Sequence, residues 1–367
     1  MNQGRIDQLR QRVLAHGLDG VALMPGPNLL YLSGIRAHAS ERPMLLFLPA
    51  DDEPAAIFPL LEADKARAAG VAPERLFIWS DEEGYTGAFQ AACAALELSD
   101  YLLGVEALHM RLLEVELLHR YAPGLTTAHL EPIMAVLRLR KDSHEIDAMH
   151  RAAKVAEAAM RRLLPQIKVG QTEHEIAGLL VQALYAAGSQ AIPFGPIVQA
   201  GPNSGSPHAP PSDRPIQVGD LLLIDWGAVV DGYPSDISRT FAVGPIRPEL
   251  ERVYELVKAA NAAGRDAAAP GASGQDVDRA ARELIAAGGY ADAFLHRTGH
   301  GLGLEVHEPP YIMEGNLEPL EPGAVFTVEP GIYLEGRGGV RIEDDVVVTA
   351  GVSQSLTSLS RDLIRVG

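Results

Sequence analysis

Asp225, Asp236, His300, Glu329 and Glu343 are the residues whose types and surroundings could do chemistry together. Four are carboxylates and one is an imidazole. Each lies in a segment that otherwise reads as buried: LLLIDWG, SDISRTF, RTGHGLG, FTVEPGI and VRIEDDV. A charged group in an apolar strand is costly unless it is paired or holds a metal. Four acids placed this way point to a shared cation. Hard oxygen donors plus one imidazole suit Mn²⁺, Co²⁺ or Zn²⁺ better than Cu⁺, and Ca²⁺ would not normally take the histidine. A single divalent ion leaves four carboxylates net negative, whereas two balance them, so charge favours two metals roughly 3.5–4 Å apart. Bound metal lowers the pKa of water towards ~7, and a hydroxide bridging the pair would then be the nucleophile.

The local patterns say how these groups are presented. Asp225 and Asp236 lie on two predicted strands that flank Asp231-Gly232, a strong hairpin signal. Antiparallel arms bring residues distant in sequence close together across the ladder. The competing reading has one Asp facing solvent and the other capping a turn. His300 stands between Gly299 and Gly301, which permit close backbone approach and unusual torsions. His208 in SPHAPP and His307 in EVHEPP lie beside prolines, in predicted loops that display functional groups. In VRIEDDVVV, strand alternation puts Glu343 and Asp345 on one face and Asp344 on the other, so Asp345 rivals Glu343. Other motifs fail. HEIDAMH spaces its histidines six apart rather than four, and GHGLGL lacks the last glycine of a dinucleotide fingerprint. There is no phosphate-binding P-loop and no GxSxG elbow.

The elements that must position these groups form an α+β chain in two parts. At 367 residues the chain is long for one core. Residues 1–130 alternate helix and strand signals and read as an α/β domain with a mixed sheet. Its predicted strands are DGVALM, NLLYLSG, PMLLFLP and AAIFPLL, and its helices include ADKARAAG and TGAFQAACAALEL. Residues 131–367 read as two helix pairs alternating with antiparallel strands. Asp142 with Glu145, and Thr172 with Glu175, have capping-box spacing at the starts of the first pair.

A net charge of −17 argues against a nucleic-acid partner, which needs a basic surface. Cys93 is the only cysteine, so no intrachain disulfide forms, and its apolar helical context marks it as a buried small hydrophobe. The N-terminus has no signal-peptide core and no run reaches a membrane-spanning length, so a cytoplasmic enzyme without membrane attachment is expected.

The segments IDWGAVVDGYPSDISRTFAVG, GHGLGLEVHEPP, TVEPGIY and GVRIEDD resemble the signatures of the metallopeptidases with the pita-bread fold. The resemblance runs through residues 135–365, and the preceding domain resembles the N-terminal domain of creatinase and the proline-specific members. It implies that Asp225 chelates one metal, that His300 and Glu329 hold the other, and that Asp236 and Glu343 bridge both. It thereby selects Glu343 over Asp345. It further implies that Glu329 handles a proton, that His208 stabilises the tetrahedral intermediate or contacts the peptide, and that His307 contacts substrate on the other side. Arg341 sits two residues before Glu343 and should share its strand face. There it would pair with a ligand carboxylate, with substrate, or in a structural ion pair. The activity implied is hydrolysis of an Xaa-Pro bond, by an Xaa-Pro dipeptidase or by a short aminopeptidase P. A dipeptidase must hold the free proline carboxylate, for which Arg337, Arg341, Arg36 and Arg42 are candidates. Metal-free relatives, creatinase and inactive binding modules, are disfavoured because all five positions carry ligand types. A homodimer built through the N-terminal domain is also implied.

Overall fold

The computed structural model describes residues 1–367, which divide into two compact units, Met1–Arg138 and Leu139–Gly367. The first unit holds strands β1 (Gly20–Leu23), β2 (Leu45–Pro49), β3 (Ala55–Pro59), β4 (Leu76–Trp79), β5 (Leu102–Val105) and β6 (Thr126–His129). They form one sheet in the order β4-β3-β2-β1-β5-β6. It is mixed: β1 pairs antiparallel with β2 and parallel with β5. Its helices are α1 (Gln3–Ala15), α2 (Pro27–Ser33), α3 (Ala63–Ala68), α4 (Thr86–Ala95), α5 (Leu112–Tyr121) and α6 (Glu131–Leu139).

Two expectations change here. NLLYLSG is helix α2 rather than a strand. A short apolar run has no period that separates a buried helix from a strand, and Pro27 fits the first helical turn, where its missing N–H goes unused. Helix α6 belongs chiefly to the first unit, not to the start of the second. The Leu130 amide donates to Val105, the Tyr31 hydroxyl to the Leu137 carbonyl, and Arg138 to the Asn28 side chain.

In the second unit α7 (Ser143–Leu163) packs on α8 (Glu173–Ala187), and α9 (Pro248–Ala267) on α10 (Gly274–Ala287). Both predicted capping boxes form, each with a reciprocal side-chain and backbone bond. The strands are β7 (Ile197–Ala200), β8 (Leu221–Trp226), β9 (Val229–Val230), β10 (Tyr233–Pro234), β11 (Ile237–Val243), β12 (Gly299–Gly301), β13 (Glu308–Ile312), β14 (Val325–Val328), β15 (Gly331–Leu334), β16 (Gly338–Arg341), β17 (Asp344–Val347), β18 (Gln354–Ser355) and β19 (Arg365–Val366). One sheet runs β19-β11-β8-β7, a second β13-β12-β14-β17-β18, and β15-β16 and β9-β10 are two-stranded ribbons. Ala156, Met160, Leu180 and Leu184 of α7 and α8 pack with Ile224, Trp226 and Phe241 of the first sheet. Val277 of α10 packs with Phe326, Val328 and Val346 of the second.

Asp231 and Gly232 both take positive φ, 54° and 92°, and Val230 pairs with Tyr233 across them. That is the two-residue hairpin the Asp-Gly signal predicts. VRIEDDV is not one continuous strand. β16 ends at Arg341 in the ribbon, β17 begins at Asp344 in the five-stranded sheet, and between them the Glu343 amide donates to the Ser238 carbonyl. The chain breaks likewise between β14 and β15, at Glu329-Pro330. No helix is long and apolar enough to cross a membrane.

Candidate metal centre and substrate cavity

Two glutamates stand where the chain changes sheets. Glu329 lies where it leaves the five-stranded sheet for the ribbon, and Glu343 where it returns. Freed from ladder pairing on both sides, these positions present their carboxylates to one cavity. Asp225, on β8, is paired in register with Ser238 of β11, and Asp236 lies two residues before Ser238. That spacing puts the two aspartates diagonally on one face. His300, on β12, is held by its close neighbours. A Cβ at Gly299 would overlap the Thr327 carbonyl oxygen, and one at Gly301 the backbone of Glu308 and Pro309. Neither glycine has a positive φ, so close approach, not torsional freedom, accounts for them.

All five residues line one cavity of about 790 Å³, together with His208, His307 and Arg341. Donor atoms of Asp236, His300 and Glu343 lie within 4.8 Å of one another. His300 Nε2 is 3.4 Å from Glu329 Oε1 and 3.7 Å from Asp236 Oδ2. Asp225 and Glu329 fall outside the tightest trio but face the same space. Asp225 Oδ1 and Asp236 Oδ1 are buried without a hydrogen-bond partner. Orphaned buried carboxylate oxygens are costly, and divalent cations are what such oxygens, with one imidazole, accept.

The electrostatics agree. Burial first, then Glu343 and Asp225, raises Asp236 well above the usual carboxylate range. Burial first, then Glu329 and Asp225, does the same to Glu343, and burial pushes Glu329 up to about 7. Burial pulls His300 down to about 3, which leaves a neutral imidazole, the form that ligates metals. Without cations these carboxyls hold protons that a metal must displace.

Arg341 is 1% exposed and committed. Its Nη2 donates to Asp225 Oδ2 at 2.7 Å, its Nε to Ser238 Oγ at 2.8 Å, and its Nη1 to the Tyr333 hydroxyl at 2.9 Å and the Pro207 carbonyl at 3.2 Å. Ser238 in turn donates to Glu343 Oε2 at 2.7 Å, so Arg341 and Glu343 meet through one hydroxyl. Asp345 is buried beside them, but its Oδ2 accepts the Asp236 amide and it does not line the cavity. Asp344 pairs with Arg239 and Arg361. Among the other arginine candidates, Arg337 pairs with Glu249 and Arg42 forks onto Asp81.

His307 stacks edge-on against His300, with ring centroids 4.1 Å apart. The pKa values of His208 and His307 fall through burial, and secondarily through Arg341 and Arg297 respectively. Among the lining residues that the sequence reading does not single out are His296, Arg297 and Phe194. His296 Nε2 bonds the Tyr333 hydroxyl at 2.8 Å, and burial pulls the ring down to about 4. The Arg297 guanidinium lies over the Tyr311 ring, 4.5 Å from its centroid. Their signal was in view, a His-Arg pair just before the glycine-flanked histidine. Phe194, Ile197 and Val306 add an apolar wall that no local motif announces.

Residues 147–350 match metallopeptidase family M24, and residues 5–140 match the creatinase/prolidase N-terminal domain. The chain belongs to family M24 and is a metal-dependent peptidase that takes divalent ions. It is 38% identical to a putative dipeptidase of Bacillus subtilis (strain 168), over 92% of this chain and 93% of that one. It is 33% identical to the Xaa-Pro dipeptidase of Lactobacillus delbrueckii subsp. lactis, over 98% of each. The crystal structure of recombinant prolidase from Thermococcus sibiricus superposes with a TM-score of 0.94 at 35% identity, over 100% of this chain and 99% of that one.

Proposed function

We propose that this protein is an Xaa-Pro dipeptidase that hydrolyses the imide bond before a C-terminal proline. The observation that carries the dipeptide reading is Arg297. It lines the cavity with an aromatic ring, rather than a carboxylate, against its guanidinium. A free proline carboxylate is the natural partner of such a group. The cavity wall of Phe194, Ile197 and Val306 offers apolar surface for a small side chain.

Asp225, Asp236, His300, Glu329 and Glu343 would hold two divalent ions, with Mn²⁺ favoured over Co²⁺ or Zn²⁺. Bound there, such ions supply Lewis acidity that polarises a scissile carbonyl and acidifies water. This suits an Xaa-Pro bond, which has no N–H for an ordinary protease to use. Glu329 accepts the proton that water gives up. His208 and His307 flank the peptide on opposite sides of the ligand cluster and donate hydrogen bonds to it. Arg341 pairs with the Asp225 carboxylate and orients it. The N-terminal domain would build a homodimer, a reading that rests on its likeness to the creatinase/prolidase domain.

A short aminopeptidase P is the rival reading. Ala-Pro, Ala-Pro amide and Ala-Pro-Ala assayed with each metal separate the two. The dipeptidase reading expects Ala-Pro to be the best substrate, and preference for the tripeptide would sink it.

A further inference from the structure

We propose that Glu173, which touches neither the metal ligands nor the cavity, is a positioning residue for His208. The inference rests on the reading of His208 as a substrate-contacting group. Glu173 opens α8 and is 0% exposed. Its carboxylate accepts only from the segment between Ala200 and Ser212, the loop that carries His208. The donors are the Ala200 amide at 2.6 Å, Asn203 Nδ2 at 3.0 and 3.1 Å, the Ser212 amide at 2.9 Å and the Ser212 hydroxyl at 2.6 Å. One buried anion thus closes both ends of the loop. The helix N-terminus adds two backbone bonds, from the Glu173 amide to Arg214 and from the His174 amide to Ser212.

Inside the closed loop, the carbonyls of both residues next to His208 are pinned. The Pro207 carbonyl accepts from Arg341, and the Ala209 carbonyl accepts from Gln199 Nε2 at 2.7 Å. The first part of the loop is a 3₁₀ turn, Gly201–Gly205, and the SPHAPP stretch after it is partly exposed and proline-rich, with no strand or helix pairing of its own. The geometry of that stretch therefore depends on these two carbonyl anchors and on the ends that Glu173 holds. An anion that accepts from a main-chain amide at each end is worth more than a neutral acceptor, because charge-assisted bonds are about twice as strong. The reach from Glu173 to the cavity is indirect, through the backbone of the loop. Release of either end lets the imidazole drift from the substrate, and a drift of about 1 Å costs on the order of 100-fold in rate.

Glu173→Gln keeps the shape but turns one acceptor into a donor that faces donors. The variant is assayed with Mn²⁺ on whichever of Ala-Pro and Ala-Pro-Ala the wild type cleaves faster, so the test survives failure of the dipeptide reading. Expected are a loss in kcat of about 10- to 100-fold, unchanged metal content, and faster amide exchange confined to residues 200–214. The decisive readout is a double-mutant cycle with His208→Ala. If Glu173 acts through His208, Glu173→Gln costs nothing further in the His208→Ala background. Additive losses would overturn the inference while leaving the reading of His208 intact. A fully active His208→Ala would overturn that reading and the inference with it. If Glu173→Gln does not fold, Ser212→Ala, which removes one donor and leaves the anion, should show the same coupling on a smaller scale. Full activity of Ser212→Ala with unaltered exchange would then count against the clamp.

Discussion

Each arginine near the site has a different partner, and that divides their roles. Arg341 is engaged by Asp225, Ser238, Tyr333 and Pro207, whereas Arg297 offers its guanidinium to the cavity. Arg297→Ala should raise KM for Ala-Pro by ~10- to 100-fold, the worth of a charge-assisted pair. It should leave Ala-Pro amide nearly unaffected. Equal losses on both would show that Arg297 does not read the carboxylate. Ser238→Ala removes the hydroxyl that joins Arg341 to Glu343. It leaves two charged groups each short of a bond, at a cost of about 1–3 kcal/mol. A melting temperature within a degree of wild type, with metal binding intact, would argue that the bridge is idle.

At the level of elements, the site is made by strands that stop. Pro330 cannot donate to a ladder, and the chain crosses from one sheet to the ribbon beside it, leaving Glu329 at the break. Glu343 occupies the return crossing, where its amide bonds Ser238 instead of a ladder neighbour. β12 can lie against β13 and β14 only because Gly299 and Gly301 lack side chains. Gly299→Ala would drive a methyl into the Thr327 carbonyl. It should destabilise the fold by at least the ~1–3 kcal/mol of an overpacked site and weaken metal binding through His300. Wild-type metal content and melting temperature in that variant would contradict the packing argument.

For the whole molecule, the cluster of like charges makes stability depend on metal and on pH. Chelation should lower the melting temperature, and metal added back should restore it by mass action. The sign with pH follows from the raised carboxyls. Asp236 and Glu343 lie well above their ordinary values and Glu329 at about 7, against roughly 4 in the unfolded chain. Such groups stabilise the fold fully below their unfolded pKa, and this is lost as pH rises through the folded values. His300 and His296 have lowered pKa values, so their contribution is complete above the unfolded value of about 6.5 and is lost only on acidification. Between pH 7 and 9 the histidines therefore drop out and the acids dominate, joined only towards pH 9 by the Cys93 thiol, which burial pushes up to about 11. The chelated protein should lose melting temperature across that window. The metal-loaded protein should not, since its ligands are already deprotonated. A chelated protein as stable at pH 9 as at pH 7 would mean the carboxylates are farther apart in solution. Light scattering tests the homodimer, which a fully active monomer would exclude.

A charge in an apolar strand is anomalous wherever that strand goes, so the sequence by itself singled out the candidate ligands. Strand alternation left Asp345 level with Glu343 until the family resemblance chose between them. Asp225, Asp236, His300, Glu329 and Glu343 were legible one by one, as were the capping boxes and the Asp231-Gly232 turn, all of which depend on neighbours a few residues away. NLLYLSG reads as a strand because an apolar run of four residues, Leu29 to Leu32, has no decisive period, and VRIEDDV reads as unbroken because alternation assumes a ladder that continues. What only the tertiary structure decided is partnership. Arg341, Arg297 and Arg337 are alike in sequence. They separate once Asp225, the cavity and Glu249 lie beside them, contacts that span dozens of residues and leave no local trace. The clamp of Glu173 on the His208 loop belongs to the same class, since a first-turn glutamate reads as ordinary helix chemistry until the fold buries it.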